Sequence, residues 1–147
     1  MRQAHPERFF TEEEKKELVD AIRRAEEHTS GEIRVHLTHR CKKDPMEEAK
    51  SVFEKLGMAQ TAERNGVLFF LSLEDRSFVI LGDRGIHEKV ESRFWEEIRD
   101  RVLKHFKDEK FLEGLLTGIR FCGERLSHFF PRKKGDRNEL PDEVTTS

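Results

Sequence analysis

The fold turns on residues 66–86, GVLFFLSLEDRSFVILGDRGI. Two apolar runs, Gly66 to Leu73 and Ser77 to Leu81, flank the three polar residues Glu74, Asp75 and Arg76. A connection this short forces two strands to run antiparallel as a hairpin. The first run is apolar at nearly every position, the pattern of a mid-sheet strand covered on both faces. The second exits into Gly82-Asp83-Arg84-Gly85, so an aspartate stands at the mouth of a buried hairpin.

Working outward, Glu32 to Thr38 (EIRVHLT) alternates strictly, with Ile33, Val35 and Leu37 on one face and Glu32, Arg34 and His36 on the other. That is the period of a half-buried strand. Asp44 as N-cap and Pro45 at the first helical position open a helix between this strand and the hairpin, and Gly57 closes it. A strand, a helix and a strand make a crossover unit, so the two strands are expected to be parallel. Upstream, Thr11 and Glu14 form a capping box for a helix with Leu18, Ile22 and Ala25 on its apolar stripe. Downstream, Val90, Phe94, Ile98 and Val102, then Leu112, Leu115, Ile119 and Leu126, give two amphipathic helices, or three with a break near Ile86 to Ser92. Asp108 is read as the cap of the last helix and Pro131 as its stop. The fold class is α/β: a small mixed sheet flanked by helices on both faces, with the C-terminal helices packed over it.

The chain has 147 residues, enough for one domain, expected over residues 1–131. Residues 132–147, RKKGDRNELPDEVTTS, have no apolar spacing and are expected to be a disordered tail. Thirty acidic and 28 basic residues leave a net charge of -2, which argues against a nucleic-acid or anionic-membrane partner. The 12 phenylalanines lie mostly in helical stripes or the apolar strand, as core rather than a base-stacking platform. Two cysteines are too few for a disulfide framework or an all-cysteine zinc site. With no apolar leader at the N-terminus and no membrane-spanning run, the expectation is a cytoplasmic monomer, its protein partner, if any, unspecified.

The topology brings three segments to one end of the sheet: Ser30-Gly31-Glu32, Arg64-Asn65-Gly66 and Gly82-Asp83-Arg84. Glu32, Asn65 and Asp83 supply oxygen donors suited to calcium or magnesium, with Arg64 and Arg84 beside them to hold an anion. Asp83 also fits the plainer role of a helix N-cap, and the two roles are compatible. No organic cofactor is indicated, since phosphate-loop and dinucleotide motifs are absent. His36, His39 and Cys41 lack the paired spacing of a zinc site. Neither Cys41 nor Cys122 has an arginine six positions on, and Ser72 and Ser77 have no histidine beside them in the sequence, so catalytic residues stay unknown.

Three stretches, TEEEKKELVDAIRRAEEHTSGEIRVHL, ERNGVLFFLSLEDRSFVILGDRGI and GLLTGIRFCGERLSHFFP, resemble in sequence and order the TPM-domain family, in its short soluble bacterial branch. The resemblance covers Phe9 to Pro131 and is most specific around RNGVLFFLSLEDR and GDRGI. It implies a single α/β domain, divalent-cation binding, weak acid-phosphatase activity and accessory roles at membrane complexes. The family's patterned polar positions fall on Glu32, Arg64, Asn65 and Asp83. Two functions follow as expectations: a cation-binding accessory or interaction module, or a weak metal-assisted phosphomonoester hydrolase.

Overall fold

A computed structural model describes residues 2–133 and 139–147. The elements are α1 (Glu12–Glu26), β1 (Glu32–Thr38), α2 (Pro45–Lys55), β2 (Gly66–Ser72), β3 (Ser77–Gly82), α3 (Arg84–His87), α4 (Ser92–Phe106), α5 (Phe111–Phe129) and β4 (Val144–Thr146). The sheet order is β3-β2-β1-β4. β1 runs parallel to β2, with Glu32 opposite Gly66, and β2 pairs antiparallel with β3, with Val67 opposite Gly82. The crossover unit and the hairpin therefore form as the sequence indicates.

Local chemistry starts the helices where expected. Thr11 accepts the Glu14 N–H at 3.1 Å while Glu14 accepts the Thr11 N–H at 2.9 Å, a reciprocal box that satisfies two otherwise orphaned donors. Asp44 caps α2 through the Met46 N–H, with Pro45 behind it. Among the described residues the C-terminal helices number three, since Glu88 to Glu91 separate α3 from α4.

The sheet divides two apolar layers. On one face Val35, Val67 and Phe69 pack with Leu18 and Ile22 of α1, Ile98 and Val102 of α4, and Leu115 and Ile119 of α5. On the other, Leu68 and Phe70 pack with Ala49, Val52 and Phe53 of α2 and with Met58. β2 lies between both layers, and every residue of it is buried, which explains its continuous apolar run.

Three expectations are corrected. β1 is not half-buried: all seven residues are buried, Glu32, Arg34 and His36 included. The cause is the C-terminal segment. Its described part is not a free tail but carries β4, which adds to the edge of β1 in parallel with Val35 opposite Val144. The rest of that expected tail, residues 134–138, lies outside the described residues. Finally, Asp108 does not cap the last helix. It lies in the turn after α4, and α5 starts three residues later with Lys110 at an N-cap position that makes no side-chain bond.

Candidate functional site

The β1–β2–β3 register builds the corner that the sequence anticipates. Asn65 offers its carbonyl to the Glu32 N–H at 3.3 Å, and Gly66 offers its own to the Asp83 N–H at 2.9 Å. The three segments are thus fixed to one another by backbone hydrogen bonds at one end of the sheet. Arg64 has a left-handed backbone (φ 51°), which turns the chain into β2 and points its carbonyl at the Gly85 N–H, 2.9 Å away. Gly85 is required for this approach: a Cβ there would lie 2.1 Å from the Glu63 carbonyl oxygen.

The side chains at this corner divide among different partners. Asp83 is 5 % exposed, and both its oxygens are taken by the Arg64 guanidinium, at 2.7 Å from Nε and 2.8 Å from Nη2. One of them also accepts the Arg84 N–H at 2.8 Å, so Asp83 is the N-cap of α3. Asn65 is buried; its amide donates to Ser30 Oγ at 3.1 Å and its oxygen receives Thr61 Oγ1 at 3.4 Å. Ser30 in turn donates to Glu63 at 2.5 Å. Glu32 turns to the C-terminal segment, where it accepts the N–H groups of Glu139 at 2.9 Å and Leu140 at 2.6 Å. Arg84 is exposed and contributes its backbone to the cap. Among the described residues no group of three or more His, Cys, Asp or Glu side chains is placed to hold a metal ion.

Arg64 and Asp83 line a cavity of about 470 Å³ whose other wall is α2, with Glu47, Lys50, Ser51 and Glu54. In the sequence these α2 residues are masked by the apolar stripe of the same helix. The signal was present: positions 47, 50, 51 and 54 recur at helical spacing and share a face. Two carboxylates, an ammonium and a hydroxyl thereby stand around the Arg64–Asp83 pair.

His36, His39 and Cys41 do not make a zinc site. Both ring nitrogens of His36 are engaged, Nδ1 with Thr145 Oγ1 at 2.7 Å and Nε2 with Ser147 Oγ at 2.8 Å. Burial, with Arg34 nearby, holds its pKa down to about 4, so the ring is neutral near pH 7. His39 pairs with Glu74 at 2.7 Å.

This arrangement and its order along the chain can be set against known proteins. The family model described as the TPM domain matches residues 4–124. The chain belongs to the TPM-domain family. A solved TPM-fold relative is the BA42 protein from the psychrophilic bacterium Bizionia argentinensis, 43% identical, with a TM-score of 0.93 over 99% of this chain and 100% of that one. An N-terminal domain of a protein from P. gingivalis, 17% identical, has a TM-score of 0.66 over 94% of this chain and 85% of that one, which shows a common fold. No curated protein matches. Among the described residues of this TPM domain, no helix is long and apolar enough to cross a membrane.

Proposed function

We propose that this TPM domain is an accessory binding module whose ligand is a divalent cation, calcium or magnesium, taken at the corner of Asp83. The observation that carries the reading is the Arg64–Asp83 fork in the wall of the α2 cavity. The Asp83 carboxylate already meets a cationic group with both oxygens, and Glu47 and Glu54 line the same cavity, so these side chains would have to move toward Asp83 to complete the coordination of a hard metal ion. The ion would take the place of the guanidinium on Asp83. Asn65 and Glu32 then act from behind: their backbones fix the strand ends, while their side chains stay with Ser30 and the C-terminal segment.

Titration of the chain with calcium, and separately magnesium, followed by backbone amide shifts, tests this. Saturable shifts at Arg64, Asp83 and the α2 face are expected, and they should vanish in Asp83→Asn. Absence of any saturable shift at these residues with either ion rules the reading out.

A second reading, metal-assisted hydrolysis of a phosphomonoester, is favoured by one further feature. Lys50 and Arg64 line the same cavity, so an anion beside the ion would meet two cationic side chains. The metal would polarise a phosphoryl oxygen, and Arg64, released from Asp83, would clamp the anion with exposed Arg84 outside. Turnover of an aryl phosphate that requires added metal and is lost in Arg64→Ala is the expected result. Activity that survives Asp83→Ala would exclude it.

A further inference from the structure

The polar face of β1 is built to read an extended peptide. Glu32 accepts two successive backbone N–H groups, from Glu139 and Leu140. Arg34 donates to the Pro141 carbonyl at 3.1 Å, and His36 spans the hydroxyls of Thr145 and Ser147. Beyond them the β1 edge forms a ladder with β4, continued where the Ser147 N–H donates to the Leu37 carbonyl at 2.9 Å. Main-chain pairing with side-chain readout at alternate positions is the chemistry of β-strand addition.

The occupant seated there is an imperfect fit. Arg34 Nε is buried without a hydrogen-bond partner, and the Asp142 and Glu26 carboxyls can satisfy their buried oxygens only by sharing a proton. Leaving buried polar atoms unpaired lowers the net gain of docking. β4 is moreover only three residues long. A segment held this way can be exchanged for an identical one.

From these contacts we infer that the outer edge of β1 is a peptide-docking groove, filled here in cis by residues 139–147 and open to the same segment of a second copy in trans. This groove is separate from the Arg64–Asp83 corner, so either can fail without the other. The recognition it demands is specific: two adjacent free N–H groups for Glu32, a carbonyl for Arg34, and hydroxyls two positions apart for His36.

The test uses the full chain carrying Val144→Asp and Thr145→Pro, which removes one ladder N–H and places a charge in the strand, together with a labelled peptide of residues 139–147. Saturable binding is expected, with amide shifts confined to Glu32 to Thr38 and their neighbours on the groove. A peptide with the same two changes should bind at least about tenfold more weakly. No saturable binding, or equal binding of both peptides, overturns the proposal. Should the variant chain fail to fold, the wild-type chain cut at a protease site placed within residues 134–138 provides the measurement. Replacement of its cut segment by excess labelled peptide supports the groove, and a cut segment that is never replaced overturns it.

Discussion

Glu26 at the end of α1 and Asp142 in the C-terminal segment face each other with one oxygen apiece, Oε1 and Oδ1, buried and with no partner but each other. A proton shared between the two carboxyls satisfies both oxygens at once. Burial first, then the bond to Asp142, pushes the Glu26 pKa from 4.5 up to about 10, against the Ile33 N–H that favours the charged form. Glu32 next to it is pushed up by burial to about 7, opposed by the N–H groups of Leu140 and Glu139.

Above about pH 7, where the buried neutral His36 no longer contributes with the opposite sign, stability should therefore fall with rising pH. Both folded pKa values lie above the unfolded value, so the contribution is complete below about pH 4.5 and is lost as pH rises through 7 for Glu32 and through 10 for Glu26. Urea unfolding at pH 7, 8 and 9, above the range in which the buried His36 ring contributes with the opposite sign, should show a progressive loss. Glu26→Gln, whose amide donates to Asp142 without needing a proton, should flatten the upper part of the profile. A wild-type stability that rises from pH 7 to 9 rules out the raised Glu26 carboxyl.

At the Arg64–Asp83 corner, two substitutions separate the cap from the ion pair. Asp83→Asn keeps an oxygen for the Arg84 N–H and loses the fork to Arg64, whereas Asp83→Ala loses both. Alanine should cost about 1 kcal/mol more than asparagine, the value of a helix cap. Thermal unfolding of the two variants side by side checks this; equal midpoints would mean that Asp83 caps nothing of consequence.

Two glycines near the same corner should respond differently to alanine. A Cβ on Gly82 would lie 2.0 Å from the Trp95 ring, a side chain that can shift, and should cost about 1–3 kcal/mol. A Cβ on Gly85 would strike the backbone carbonyls of Glu63 and Arg64, at 2.1 and 2.6 Å, which cannot move without unseating the start of β2. Gly85→Ala is expected to be the more damaging in urea unfolding. Fluorescence of Trp95, the sole tryptophan, should change in Gly82→Ala.

The two cysteines should differ in reactivity. Cys122 is wholly buried in α5, and that burial drives its thiol pKa far above the usual range. Cys41 is only partly covered; burial raises its thiol pKa too, which slows its reaction without closing access to it. Alkylation of the native chain at neutral pH, read by mass spectrometry, should add one label at Cys41, and a second only after denaturation.

Much of this fold is legible in the sequence because its signals are local. Thr11, Asp44 and Pro45 declare their helices through side-chain chemistry within three residues, and 66–86 declares the hairpin through its short turn. The convergence of Glu32, Asn65 and Asp83 at one sheet end is also readable, since topology alone dictates it. What local pattern cannot reveal is where a side chain spends its hydrogen bonds. Glu32, Arg34 and His36 alternate like a solvent face, yet they are covered by a segment more than 100 positions away, whose three-residue strand is too short to show a period. Asp108 misleads for the opposite reason: an aspartate before an apolar stripe looks like a cap, but Glu109 takes a left-handed turn (φ 59°) and moves the helix start beyond its reach.

The two layers that sandwich the sheet are unequal. Three long helices close one side, while α2 alone closes the other over a small cluster around Phe53, Met58 and Phe70. Free energies of local opening follow buried apolar contact, so the α2 layer should loosen before the opposite one does. The Arg64–Asp83 cavity is walled by that lighter layer. Anything that grips both α2 and the sheet corner would thus act as a clasp on the weakest seam, and amide exchange in Pro45–Lys55 would slow sooner than anywhere else.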